Sequence, residues 1–162
     1  LADTYTQLGY QAESGPWRNF YLTGARDLFK KDVPYTSQLI NDGVLAQMDM
    51  GTLLDYCAIQ LNGKKAAGKE AVININFTDT KEKVMLMLNN EVLNHRLDSQ
   101  DKKADLTLEI AKMDFVKLFF GRTDLQTLLK TNKVRTTGNT KAMEVICSAY
   151  EPADPNFKIV LP

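Results

Sequence analysis

Across residues 71–110 apolar side chains recur at every second position, and beyond Ile110 they recur at helical spacing. This change of period allows few folds. In the first run Ile73, Ile75 and Phe77 share one face and Asn74 and Asn76 the other, as in a half-buried strand. Val84, Leu86 and Leu88 alternate with Met85 and Met87, so a second strand is apolar on both faces. Asn89-Asn90 suits a tight turn, because Asn tolerates positive φ. Residues 91–97 return as a third strand, and Leu106, Leu108 and Ile110 mark a fourth. Phe115, Leu118 and Phe119 then share a helix face that Gly121 closes. Thr123 is placed to cap a short helix bearing Leu125, Leu128 and Leu129, and residues 133–137 read as a fifth strand. Asn139 is placed to cap a last helix with Ala142, Met143, Ile146, Ala149 and Tyr150 on one side. Strands grouped first and helices afterwards predict an α+β layer: a five-stranded, mostly antiparallel sheet with helices packed on it.

Ahead of this pattern the chain reads as helical. Residues 1–9 predict a short helix ending at Gly9, and Ser14-Gly15-Pro16 a second helix with proline in its first turn. Trp17, Phe20, Tyr21, Gly24, Ala25 and Leu28 follow on one stripe with three aromatics. The polar stretch 32–43, with Pro34 and Gly43, is the expected boundary between a helical segment and linker (1–43) and a second domain (44–162). In that domain Asp49 is placed to cap a helix with Met50, Leu53, Leu54, Cys57, Ala58 and Leu61 on one face. Asn62-Gly63 is expected to stop it before a basic loop over 64–69. The chain opens on Leu1 within a helical pattern, which reads as a piece of a longer polypeptide.

Little here carries catalytic chemistry. With 20 Lys+Arg against 20 Asp+Glu, the net charge is +0, which disfavours a nucleic-acid partner held by counterion release. No stretch is long and apolar enough to span a bilayer. The single histidine, His95, lies in phase with Leu93 and Leu97, whereas a catalytic zinc needs about three protein ligands. Asp98, Asp101 and Asp105 cluster with Lys102 and Lys103 as in a solvated turn, and no serine sits in a nucleophile-elbow pattern. Cys57 and Cys147 lie in helical apolar patterns and read as buried thiols rather than a disulfide. What remains is an apolar surplus. It forms either an ordinary core or a deformable cavity, whose expected walls are Met85, Met87, Phe115, Leu118, Phe119, Leu128 and Met143.

The run from Tyr5 through Gly9, Ser14, Gly15, Pro16, Trp17 and Phe20 to Gly24 and Ala25 resembles the dimerisation region of the metallo-β-lactamase-type alkyl sulfatases. Leu53-Leu54 through Leu61-Asn62-Gly63, Ala104-Asp105-Leu106-Thr107-Leu108 through Gly121-Arg122, and the ending Phe157-Lys158-Ile159-Val160-Leu161-Pro162 resemble that family's C-terminal sterol-carrier-protein-2-like domain. One departure is Gly138-Asn139, where related domains often carry Gly-Asp. The resemblance implies a fragment that is not itself an enzyme, taken from a zinc-dependent sulfuric ester hydrolase. It also implies a homodimer formed through Trp17, Phe20 and Tyr21 and a C-terminal module for a long-chain alkyl sulfate, fatty acid or similar apolar ligand. Zinc is expected only in a catalytic domain outside this sequence, with no cofactor held here, and a periplasmic or secreted compartment is implied for the parent. Two other roles remain open at this point: a purely structural or dimerisation domain, and a free-standing lipid carrier.

Overall fold

The computed structural model describes residues 1–29, 41–152 and 160. The linker residues between 30 and 40, and all of the C-terminal ending except Val160, lie outside the described residues. The described residues belong to two compact units, 1–29 with 160 and 41–152.

The first unit is a helical pair, α1 (Ala2–Gln11) and α2 (Gly15–Leu28). The helix expected to end at Gly9 continues to Gln11, because Gly9 is a packing position rather than a stop. A Cβ there would lie 2.7 Å from Leu22 Cδ2, so its absence lets the two helices approach closely. Gly24 answers it from α2: a Cβ at that position would meet Tyr5 Cδ2 at 3.1 Å and Val160 Cγ1 at 3.0 Å. Ser14 precedes α2 as expected, with proline in the first turn, but its side chain makes no capping bond.

The second unit runs α3 (Asp42–Gln47), α4 (Met50–Ile59), α5 (Gly63–Ala66), β1 (Ala71–Phe77), β2 (Lys83–Asn89), β3 (Val92–Leu97), β4 (Leu106–Ile110), α6 (Lys112–Phe119), α7 (Leu125–Lys130), β5 (Val134–Gly138) and α8 (Lys141–Ser148). This is the α+β class. The five strands lie in the order β3-β2-β1-β4-β5, and every pairing is antiparallel except β1 with β4. Ile73 stands beside Leu86 on one side and Leu106 on the other, so alternate residues of neighbouring strands reinforce one apolar face. That face carries Ile73, Ile75, Phe77, Val84, Leu86, Leu88, Leu106, Leu108 and Ile110, all at 2 % exposure or less, in one core with the helices. α8 packs on β1, α4 on β3 and α7 on β5.

Three local expectations change. Asn62 does not stop α4, which has ended at Ile59; its carboxamide accepts the Lys64 and Lys65 amides and starts α5 within the expected loop. Asp124, not Thr123, caps α7: its carboxylate accepts the Thr127 amide (2.8 Å) and hydroxyl (2.7 Å), and these bonds hold it below the usual Asp range. At α8 the capping position is Thr140, while the Asn139 side chain accepts the Lys141 amide at 3.1 Å. Asp49 does cap α4, accepting the Thr52 amide at 2.9 Å.

Lys112 is a buried cation at 8 % exposure. Its ammonium donates to the carbonyls of Ala46 (3.0 Å) and Met48 at the end of α3, where a helix presents unpaired acceptors. Its amide donates to the Asp79 carboxylate at 3.1 Å, so the β1–β2 turn caps α6. Lys112→Met keeps the stem and removes these donors. It is expected to cost about 2 kcal/mol in chemical denaturation, the scale of charged hydrogen bonds; an unchanged midpoint would show that the carbonyls find other donors.

Candidate ligand site

The expected wall residues separate into two groups. Phe115 and Phe119 at 0 % exposure, Met143 at 1 %, Leu128 at 3 % and Leu118 at 4 % meet between the sheet and its helices. Met85 and Met87 do not join them. They alternate with Val84, Leu86 and Leu88, which hold the helical face, so the methionines point to the opposite face of the sheet. Met85 is nevertheless buried there. It neighbours Asn74 in the register, and the chain after β3 crosses this face: Asn74 Nδ2 donates to Asp101 O (2.7 Å) and the Asp101 amide donates back to Asn74 Oδ1 (3.0 Å). Gln100 donates to Asn76 Oδ1 at 2.6 Å along the same segment.

Within the core a succession of rings runs outward. Phe77 meets Phe115 edge-on at a centroid distance of 5.6 Å, and Phe115 lies 6.1 Å from Phe119. Phe119 touches both Phe120 (5.3 Å) and Tyr150 (6.0 Å). Phe120 sits between Tyr150 (5.4 Å) and Tyr56 (5.7 Å), and these last three rings are half-buried. Aromatic contacts thus connect the sealed interior to a rim built from α4, the end of α6 and the end of α8. Sequence reasoning singled out Phe119 but not Phe120, Tyr56 or the rim role of Tyr150. The signal available was the Phe119-Phe120 pair: consecutive aromatics at a helix end cannot both face the core.

Among the described residues the titratable groups do not gather into a metal site. His95 Nδ1 lies 3.7 Å from Asp55 Oδ1, and no three of His, Cys, Asp and Glu stand together among the described residues. The donor set therefore does not fit a zinc ion. Cys57 and Cys147 are free thiols. Burial pushes each to about 12, reinforced by Cys147 at Cys57 and by Glu144 at Cys147.

The first unit has its own apolar depression of about 290 Å³, lined by Leu8, Ala12, Trp17 and Tyr21 with Gln11, Glu13 and Ser14. Tyr21 contacts Trp17 (5.9 Å) and Tyr5 (6.0 Å), while Trp17 (62 % exposed) and Phe20 (56 %) face outward. No helix among the described residues is long and apolar enough to cross a membrane.

Comparison with known proteins agrees with this architecture. The family described as alkyl sulfatase C-terminal matches residues 38–162, and that described as alkyl sulfatase dimerisation matches residues 1–31. A linear primary-alkylsulfatase from a Pseudomonas species is 37% identical over 99% of this chain and 24% of its own length. An (R)-specific secondary-alkylsulfatase, also from Pseudomonas, is 34% identical over 99% and 24%. The solved structure of the stereoselective inverting sec-alkylsulfatase Pisa1 from Pseudomonas overlays with a TM-score of 0.85 at 33% identity, covering 98% of this chain and 25% of that one. The chain belongs to the alkyl sulfatase family and corresponds to its dimerisation and C-terminal regions. It spans about a quarter of the length of the curated relatives it matches, in the region outside their catalytic part.

Thiols held near 12 have almost no thiolate at pH 8, roughly one part in ten thousand. Iodoacetamide at that pH is expected to leave both cysteines of the folded chain unmodified and to label both in denaturant. Labelling of the native chain at the denatured rate would place a thiolate at the surface.

Proposed function

We propose that the second unit is an apolar-chain binding module of a zinc-dependent alkyl sulfatase, and that it positions the aliphatic tail of a sulfate-ester substrate. The observation that carries this reading is the succession of rings from the sealed core to the half-buried rim of Tyr56, Phe120 and Tyr150. Three half-buried rings in tilted and edge-to-face contact leave an apolar surface at the margin of the core. An alkyl chain laid against them leaves water, at about 0.8 kcal/mol per methylene before association and ordering costs. Phe115, Leu118, Phe119, Leu128 and Met143 lie behind the rim. Met85 and Met87 have no part in it. In this reading zinc and hydrolysis belong to a region of the parent outside these residues.

The first unit supports a second role, assembly of a homodimer. Trp17 and Phe20 are more than half exposed beside an apolar depression, and aromatics of this kind favour interface cores. A structural role for the second unit draws support from the tight burial of Phe115, Phe119 and Met143. The two accounts of the second unit differ in how affinity depends on chain length.

Calorimetry with octyl, decyl and dodecyl sulfates below their aggregation limits makes that comparison. Affinity is expected to rise with each added methylene, by up to about fourfold; affinity independent of length would leave the structural role. Sedimentation of the wild-type chain is expected to show a dimer that Trp17→Ala combined with Phe20→Ala converts to monomer. A monomeric wild type at high concentration would contradict the dimer.

A further inference from the structure

Arg122 stands at the rim of the aromatic succession. After α6 the chain turns at Gly121, whose φ of +66° suits glycine. The Gly121 amide donates to Leu118 O (3.2 Å) and the Arg122 amide to Lys117 O (2.8 Å). This turn seats Phe120 between Tyr56 and Tyr150 and brings a guanidinium out two residues later. Arg122 Nη1 donates to the Asp42 carboxylate on α3, in a pair that is about half exposed on both sides (47% and 53%). Among the described residues its Nε and Nη2 have no protein acceptor. A guanidinium engaged through one nitrogen retains a two-donor edge that matches an oxyanion in bidentate fashion.

The phenols share this neighbourhood. Burial raises the Tyr150 pKa, the Tyr56 hydroxyl raises it further, and the Arg122 guanidinium opposes both. Tyr150 is therefore a neutral phenol at ordinary pH. A cation thus follows the aromatic rim within two residues of Phe120. A wholly apolar ligand would use the rings alone and leave the guanidinium to water. A ligand with an anionic head and an alkyl tail engages both the guanidinium and the rings.

We propose that Arg122 receives the anionic head of a single-chain amphiphile, a sulfate or a carboxylate, whose tail lies along Phe120 toward Phe119. This rests on the apolar-chain reading and adds a head-group site to it. Asp42 on the same guanidinium repels a second anion, so the carboxylate keeps the site weak and exchangeable. Loss of the charged head, as when a sulfate ester becomes an alcohol, removes the Arg122 contact and leaves only the tail, so the module holds uncleaved ester in preference to the neutral product.

The test titrates decyl sulfate, decanoate and decan-1-ol, each below its aggregation or solubility limit, calorimetrically into the full 162-residue chain. At least one anion is expected to bind roughly tenfold more tightly than the alcohol; preference for one anion assigns the head. Arg122→Gln is expected to remove that difference and leave the alcohol unchanged, Arg122→Lys to retain part of it, and Asp42→Asn to strengthen the anion. Matching unfolding midpoints exclude a folding effect, and the alcohol arm reports it independently. Equal binding of alcohol and anions by the wild type, or an Arg122→Gln variant that weakens all three alike, would overturn the head-group site while leaving the apolar-chain reading in place. Failure of all three to bind would overturn both.

Discussion

The register between β1 and β4 is fixed at Asp105. Its amide donates to Val72 O (2.8 Å), its carboxylate accepts the Val72 amide (2.7 Å), and its carbonyl accepts the Asn139 amide (2.8 Å). One residue thus aligns the starts of β1 and β4 and the end of β5. Gly138, at φ +109°, lies against the Asp105 carbonyl where no Cβ fits. Parallel neighbours far apart in sequence have no hairpin to set their alignment, and a slip of one residue would turn Leu106, Leu108 and Ile110 away from the core.

With that register held, the sheet presents one continuous apolar face, and the helices have a single surface to cover. α6 is tied at its start by Asp79 and by the Lys112 ammonium bonded to the end of α3. The position of α6 then decides where Phe119 and Phe120 fall: one ring in the core, the next at the rim beside Tyr56 and Tyr150. The opposite face is closed by the segment after β3, through Asn74 and Asp101, so the methionines there line no space shared with the helices. The proposed ligand site is in this sense a consequence of backbone register.

Much of this can be read from the residue pattern. Alternation over Ile73–Phe77 and Leu106–Ile110 marks the strands and their buried face, and the helices at Phe115 and Met143 follow from their spacing. Other features depend on contacts that spacing does not encode. α3 and α5, of six and four residues, are too short for periodicity to show. Asn62 serves as well to start a turn as to end one, and only the Lys64 and Lys65 amides decide between them. Gly9 looks like a helix stop because its reason for being glycine, Leu22, lies on another helix. Met85 and Met87 sit on a strand apolar on both faces, where alternation cannot say which face meets the helices. Arg122 takes its meaning from Asp42 and Tyr150, both distant in sequence.

The central claim is that an alkyl tail lies along the rim of the second unit and not in the depression beside Trp17 and Tyr21 of the first. Solution NMR of the chain with decyl sulfate tests it directly, through intermolecular nuclear Overhauser effects between ligand methylenes and aromatic ring protons. The account predicts contacts from the methylenes to Phe120, Tyr150 and Tyr56, with Phe119 reached by the end of the tail. Contacts confined to Trp17 and Tyr21, or none to any ring, would contradict it.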